Sequence, residues 1–316
     1  MKTKIALFLA TALFFVAIFT ACKKDSNTKN DDSTETEVAV QSNDQSRFSS
    51  EIDAAVNDAD FSMENSAGFT SRISQGQSLL PDSVCDATVA VDVASDPKTI
   101  TITYNGGNCL GTRTRTGSVV IAMAHGVKWS DPGAQVTLTF HDLKITRVSD
   151  NKSITINGTH TYTNVSGGLL INLLSLGTIT HSITSSNMSI TFDDGTQRTW
   201  NVAKQRVYTF SGANVSVTVS GTHTEGTVTN IAEWGTNRLG HEFTSATVQP
   251  VVIRSDCNFR IVSGEIKHTL PHVSADATFG LDSSGNPTSC PGTGHYYFKI
   301  VYTGSGGNSI TLIMPY

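Results

Sequence analysis

The sequence contains few charged and few aromatic residues. Of its 316 residues, 16% are charged, 8% are aromatic and only 8 are proline. Threonine is abundant instead, with 42 residues. Threonine is β-branched, and β-branched residues favour strands over helices. The composition therefore predicts an all-β protein with a threonine-rich surface and excludes a helical protein held by many ion pairs. A chain of this length can close one or two hydrophobic cores.

The sequence also lacks an excess of positive charge. Its formal net charge is −5, and it becomes −7 without residues 1–21, because 20 basic and 27 acidic residues remain. Proteins that bind nucleic acids neutralise phosphates with clustered lysine and arginine. Nucleic acid is therefore excluded as the expected partner.

Complete catalytic and cofactor motifs are absent as well. There is no G-x-S-x-G elbow, no P-loop and no G-x-G-x-x-G, and His241-Glu242 lacks the second histidine of an H-E-x-x-H zinc motif. We therefore predict no catalytic residue, no metal and no cofactor. Glycoside hydrolysis needs two carboxylates about 5 to 9 Å apart, and no spacing pairs the glutamates of the predicted β domain. These are Glu225, Glu233, Glu242 and Glu265.

The longest hydrophobic run lies at the N-terminus. Residues 1–21 combine a basic start with an apolar run over residues 5–19, which is the pattern of an export signal peptide. The run is too short to cross a bilayer comfortably. Residues 19–22, Phe-Thr-Ala-Cys, resemble the bacterial lipobox, in which the cysteine is acylated. The resemblance implies a palmitate-type lipid anchor at Cys22, and Lys23 directly after it favours the outer membrane.

A polar segment follows the predicted anchor. Residues 22–46 are mainly Ser, Thr, Asn, Asp and Glu, a composition that cannot repay the entropy of ordering. The sequence predicts a flexible acidic tether here. Residues 22–64 hold 11 acidic and 4 basic residues, whereas residues 66–316 balance at 16 of each. We interpret the acidic side chains as keeping the tether soluble.

One amphipathic helix is predicted over residues 47–65. Apolar residues recur there at helical spacing, with Ser49 or Ser50 as the N-cap and acidic residues in the first turn. The apolar positions are Phe48, Ile52, Ala55, Val56, Ala59 and Met63. We expect this stripe to pack against the sheet that follows.

Residues 66–316 are predicted to form one β domain. Runs such as residues 99–104, 135–140 and 214–219 alternate apolar residues with Thr or Ser, which is typical of antiparallel strands with one buried face. Asp193-Asp194-Gly195 reads as a turn rather than a calcium loop. The prediction is a long antiparallel meander of about a dozen strands, curled into an open barrel or a two-layer sandwich.

An internal sequence repeat supports the prediction that the sheet curls. Residues 153–161 match residues 216–224, and residues 261–264 begin a fainter third copy. Each copy places a glycine after an alternating run, and glycine inside a strand marks a bulge or a sharp coil.

Four cysteines lie beyond Cys22, an even number in a chain predicted to be exported, where disulfides persist. A hairpin that turns near Asp96-Pro97 brings Cys85 opposite Cys109, which leaves Cys257 with Cys290. The connectivity stays open at this point.

Histidines and aromatic residues are the remaining candidates for a site. We expect the strand histidines to belong to the polar threonine face, with convergence on a metal as the alternative. They are His125, His141, His160, His181, His223 and His268. The aromatic residues Trp129, Trp200, Trp234, Tyr296 and Tyr297 are expected in the core, with stacking on sugars as the alternative.

Several motifs resemble a family of uncharacterised bacterial envelope lipoproteins. Its members are similar in showing a cysteine before an alternating strand, then Pro-Lys-Thr-Ile-Thr-Ile, a Gly-Gly-x-Cys turn and an Arg-x-Arg-x-Gly strand entry. Here these are Cys85, residues 97–102, residues 106–109 and residues 113–117. The likeness resumes at residues 250–264 and departs at the apolar insert, residues 169–176. The resemblance implies location and fold, and it carries no activity.

Together these patterns predict a lipid-anchored outer-membrane lipoprotein with a non-enzymatic binding or structural β domain. Its expected partners are the membrane and a glycan or an envelope protein. A lipid or lipoprotein carrier, with the apolar insert at the mouth of a curled-sheet pocket, is one alternative. A carboxylate-dependent hydrolase acting on glycans is the other, and a membrane-spanning barrel is disfavoured because it needs no acyl anchor.

Overall fold

The computed structural model describes residues 31–70, 84–108, 111–257, 259–288 and 296–315. Among these residues the chain divides into two compact units. The first unit runs from Glu51 to Phe210, and the second combines residues up to Ser50 with those from Ser211 onward.

The N-terminal helix is longer than predicted. Helix α1 spans Asp31–Glu64 and thus begins well before residue 47. Residues 31–46 are helical, so the prediction of a flexible tether is wrong for this part of residues 22–46. Residues 22–30 lie outside the described part of the chain. The apolar stripe of the predicted helix is buried, as expected, from Phe48 to Met63.

The first unit is an antiparallel meander in which each strand pairs with the next. Its strands are β1 (Ala87–Asp92), β2 (Lys98–Gly107), β3 (Arg113–Met123), β4 (Ala134–Arg147), β5 (Ser153–Asn164), β6 (Thr178–Phe192) and β7 (Gln197–Ser211). Between β5 and β6 the chain forms a 3-10 turn, Leu170–Asn172, and the short helix α2, Leu173–Leu176.

The second unit is also antiparallel. Its strands are β8 (Asn214–Gly221), β9 (His223–Glu225), β10 (Val228–Thr236), β11 (Glu242–Arg254), β12 (Arg260–Leu270), β13 (Val273–Leu281), β14 (Tyr297–Gly304) and β15 (Ser309–Pro315). Strand β8 pairs with β11, β9 pairs with β10, and β10 to β15 follow one another in order. A 3-10 turn, Ser255–Cys257, joins β11 to β12. The all-β class and the antiparallel pairing are therefore confirmed.

The sheet of the first unit curls around the C-terminal half of α1. In a flat sheet β2 and β7 would lie about 24 Å apart, since neighbouring strands are about 4.8 Å apart. Yet Tyr104 on β2 bonds to Asp58, and Arg206 on β7 pairs with Asp53. These two carboxylates are about 7.5 Å apart along the helix axis. Both ends of this strand series therefore reach one short stretch of helix.

A row of register shifts accounts for the curl. Four successive strand pairs, from β3/β4 to β6/β7, each contain one. At Gly117, where φ is 93°, a side chain would place its Cβ 2.2 Å from the carbonyl oxygen of Asp142. Bulges bend the strand that carries them and increase its twist.

The repeated glycines occupy the positions that the sequence predicts for them. Gly158 lies within the register shift between β5 and β6. A Cβ at Gly221 would lie 2.1 Å from the carbonyl oxygen of Asn230, and one at Gly264 would lie 2.7 Å from the Cα of Val251. Each copy of the repeat therefore ends at a bulge or where another backbone approaches closely.

Candidate functional site

Three of the predicted site residues, Cys22, Cys109 and Cys290, lie outside the described residues. Cys85 and Cys257 are described, and each is disulfide-bonded. The pairing of the four cysteines stays a prediction. Within the described ranges, no helix is long and apolar enough to cross a membrane.

The histidines do not assemble into a metal site. Within the part of the chain that the structure describes, no group of three or more His, Cys, Asp or Glu side chains could hold a metal ion. His160 and His181 are buried in the first unit, whereas His141 is exposed on β4. His125 follows the end of β3 instead of lying in a strand.

The expectation that the strand histidines belong to the polar face is wrong for two of them. His160 and His181 are each 1% exposed. On β5, His160 shares its parity with Ile154 and Ile156, while the threonines have the opposite parity. Because side chains alternate between the two faces of a strand, His160 points to the buried side.

A buried hydrogen-bonded chain joins the helix to β5 and β6. The hydroxyl of Tyr162 donates to Asp60 Oδ2 over 2.8 Å, and it lies 2.7 Å from His181 Nδ1. The exposed fractions are 8% for Asp60, 0% for Tyr162 and 1% for His181. Trp129 packs on both rings, with centroids 5.1 Å from Tyr162 and 5.3 Å from His181. The chain of contacts is therefore closed to solvent.

Burial shifts the pKa values of this chain. Burial, together with the negative charge of Glu64, raises the pKa of Asp60 to about 7. Burial, together with the positive charge of Arg206, lowers the pKa of His181 to about 3. Burial therefore opposes the charged form of both groups.

Several buried polar atoms in and near this chain lack hydrogen bonds. Within the described residues, Asp60 Oδ1, His181 Nε2 and both ring nitrogens of His160 have no hydrogen-bond partner. The His160 ring packs against Phe140 and Trp200, with centroids 5.3 Å away in both cases. Burial, with Lys204 and Arg206 nearby, lowers the pKa of His160 to about 3. An uncharged imidazole held between aromatic rings serves packing, and no substrate can reach it.

Arginines of the first unit bind the carboxylates of α1. Arg115 donates to Asp86 over 2.5 and 2.6 Å and to Asp58 over 2.7 Å. Glu51 and Asp53 pair with arginines from β3 and β7 respectively. Buried pairs of this kind fix geometry more reliably than they add stability, because desolvation offsets much of the attraction.

The second unit binds the other half of the helix in the same way. Arg238 donates to both oxygens of Asp44, over 2.6 and 2.7 Å. Asn237 donates to Glu37 Oε1 over 2.7 Å, and His241 Nδ1 lies 2.6 Å from the same oxygen. These contacts explain why the helix extends into the segment predicted as a tether. The acidic residues are expected only to keep a tether soluble. Glu37 and Asp44 instead bind the helix to the second unit.

The four glutamates considered for hydrolysis have different surroundings. Glu233 is 4% exposed and accepts hydrogen bonds from Ser49 Oγ over 3.1 and 3.3 Å. Glu225 and Glu242 are exposed, and Glu265 is partly exposed on β12. The buried Glu233 with its serine partner therefore supports the fold.

The aromatic candidates are mainly core residues. Trp129 and Trp200 are each 1% exposed, and Tyr296 is 4% exposed, which confirms the expectation for these three. Trp234 stacks on His223 with ring centroids 4.1 Å apart. His223 occupies the repeat position of His160, so both copies of the repeat place a histidine against a tryptophan.

The outward face of β4 to β6 carries hydroxyl groups in register. Thr161 on β5 lies between Thr137 on β4 and Thr184 on β6. One row further along, Thr159 lies opposite Thr139. All of these side chains are at least partly exposed.

Two shallow depressions lie on this hydroxyl face. The first has a volume of about 290 Å³ and is lined by Thr159, Thr161, Thr184 and Ser185. The second has a volume of about 420 Å³ and is lined by Lys144, Thr146, Asn151, Ser153, Thr155, Phe192 and Asp193. Their linings offer several hydroxyl donors and acceptors, which suits a ligand that is itself rich in hydroxyl groups.

Two functional features escaped the sequence reasoning. The Asp60–Tyr162–His181 chain joins residues that are 102 and 19 positions apart, and no local pattern reveals such a contact. The burial of His160 and Tyr162 could have been predicted, because they alternate along β5 with threonines and lie on the same face as Ile154 and Ile156. The hydroxyl face follows from alternation, but its two depressions arise from side-chain packing across neighbouring strands.

Comparisons with known proteins found no match among family models, curated proteins or solved structures. The resemblance to envelope lipoproteins therefore stays a prediction.

Proposed function

We propose that the protein is a lipid-anchored envelope lipoprotein, attached to the outer membrane through Cys22, and that it binds a neutral glycan without turning it over. The observation that carries this proposal is the hydroxyl face of β4 to β6. Sugars present dense arrays of hydroxyl groups, and Thr and Ser both donate and accept hydrogen bonds. The face is extended and accessible, and its first depression is lined by uncharged residues only, as a neutral polymer ligand requires.

The alternatives have less support from the geometry. A carrier of lipid or lipoprotein needs an open interior, but the concave side of the first unit holds the C-terminal half of α1. A hydrolase of glycans needs two carboxylates that face each other across a cleft. Asp60 and Glu233 are buried, and the exposed Glu225 and Glu242 line neither of the two depressions.

Replacement of three threonines by valine tests glycan binding. The variant Thr159→Val, Thr161→Val, Thr184→Val keeps the β-branched shape and removes three hydroxyl groups. Since one hydrogen bond contributes about 1 kcal/mol, we expect an approximately 100-fold loss of affinity for neutral polysaccharides. Affinity electrophoresis in gels that contain cell-envelope glycans measures this loss.

The matched control is Thr99→Val with Thr101→Val, on β2 outside both depressions. This variant should bind as tightly as the parent protein. Equal retention of the triple variant and the parent, or hydrolysis of the glycan by the parent, would contradict the proposal.

A further inference from the structure

An apolar patch projects from the first unit between β5 and β6. We define it by Val165, Ile171, Leu174 and Leu176. Their exposed fractions are 45%, 39%, 70% and 51% respectively. These four large apolar side chains are exposed within 12 residues of chain, and clustered exposure of this kind is a candidate interaction site.

The fold holds the segment around this patch in place. Leu169 and Leu173 are 6% and 4% exposed and anchor its inner side. The backbone N–H of Leu170 donates to Glu64 Oε1 over 3.0 Å. The N–H of Gly168 bonds to Ser130, and that of Phe210 bonds to Gly177, over 2.8 and 2.9 Å. The exposed side chains therefore sit on a segment fixed at both ends.

The composition of the segment points to a lipid surface as its occupant. Residues 165–180 contain no acidic or basic residue, so nothing opposes burial among acyl chains. Four partly exposed side chains offer far less than the roughly 800 Å² per partner that a stable protein interface buries. The segment also connects two strand ends and projects from them, which suits partial insertion between lipid head groups.

We propose that the apolar patch inserts into the interfacial region of the membrane to which the protein is anchored. This inference rests on the proposed lipid anchor at Cys22. Glu64, whose side chain accepts the hydrogen bond from Leu170, is the last residue of α1.

A tryptophan placed in the patch reports on the contact. Full-length Ile171→Trp is reconstituted into vesicles of phosphatidylethanolamine and phosphatidylglycerol, with and without brominated acyl chains. We expect a blue shift of the added emission and its loss in brominated vesicles. Adding Leu174→Asp and Leu176→Asp to this protein should restore emission, because charged groups oppose insertion.

Val148→Trp is the matched control. Val148 is 60% exposed and lies in the turn at the other end of β5, so its added emission should stay unquenched. Vesicle flotation separates the two proposals. If Ile171→Trp floats but its added emission is unquenched, insertion is overturned and the anchor stands, whereas a protein that does not float overturns both.

A second copy of the chain is the competing occupant. If the protein is a dimer in detergent and Leu174→Asp makes it monomeric, the patch is a dimer contact and membrane insertion is overturned. A protein that stays monomeric in both forms, with the added emission of Ile171→Trp quenched by brominated lipid, supports insertion.

Discussion

Single buried residues set opposing pH dependences in the first unit. The pKa of His160 and that of His181 are both lowered to about 3, whereas free histidine titrates near 6.5. Below pH 6.5, both histidines therefore bind protons in the unfolded chain but stay neutral in the folded chain. Asp60 has the opposite effect, because its pKa is raised to about 7 and the folded state holds a proton that the unfolded state has lost.

These shifts predict how stability depends on pH. Each histidine lowers the free energy of unfolding by about 1.4 kcal/mol per pH unit as pH falls from 6.5 toward 3. Asp60 raises it by a similar slope as pH falls from 7 toward 4. Burial also raises the pKa of Asp58, which acts in the same direction as Asp60, so we predict the contribution of each histidine separately.

His160→Phe isolates one contribution. The ring still packs against Phe140 and Trp200 but no longer titrates, so the loss between pH 6.5 and pH 5 should shrink by about 2 kcal/mol. Urea unfolding followed by circular dichroism measures it. The exposed control His141→Phe should keep the slope of the parent. An unchanged slope in His160→Phe would show that burial of this histidine has no linkage to folding.

At the scale of an element, glycines at bulges bend the strands. Gly117 has φ of 93° and sits against the backbone of His141 and Asp142. Gly126 has a similar φ of 85°, but a Cβ there meets nothing within 4 Å. A side chain at Gly126 would therefore meet only backbone strain, whereas a side chain at Gly117 would also clash with the neighbouring strand.

Alanine at these two glycines should have unequal costs. At Gly126→Ala only the positive φ opposes the side chain, and we expect a loss of about 1 kcal/mol in the free energy of unfolding. At Gly117→Ala the strand backbones must also move apart, and we expect about 3 kcal/mol. Denaturant midpoints compare the two variants. Equal losses would mean that the bulge row does not determine the curl of the sheet.

On the scale of the whole molecule, many of the charged residues form ion pairs. Several acidic residues of the N-terminal segment bind arginines of the units, and residues 66–316 hold 16 acidic and 16 basic residues, so their charges balance. A surface of this kind has little electrostatic attraction for a membrane. The proposed attachment to the envelope therefore relies on covalent lipid and apolar contact instead of surface charge.

Labelled palmitate tests the covalent attachment. The parent protein should incorporate the label, and Cys22→Ala should abolish incorporation, because no thiol then stands at the lipobox position. Ser26→Ala in the same polar segment is the control and should retain the label. Label that persists in Cys22→Ala would place acylation elsewhere and contradict the anchor.

The sequence by itself determined the class of fold and the faces of the strands. Alternation of apolar residues with Thr and Ser depends on neighbouring positions only, so strands such as β2, β4 and β5 could be predicted from it. The turn at Asp193-Asp194-Gly195 and the bulge glycines Gly158 and Gly264 are local for the same reason, because backbone conformation limits which residues fit.

Tertiary structure alone decided which partners the buried polar residues contact and how far α1 extends. Helical periodicity reveals the stripe from Phe48 to Met63, but residues 31–46 have no such stripe. The first half of the helix is held by contacts of Glu37 and Asp44 with Asn237 and Arg238, which are about 200 positions away in the chain. The same holds for Asp60, whose pKa depends on burial by strands far along the sequence. Burial and partner identity arise only when distant segments meet.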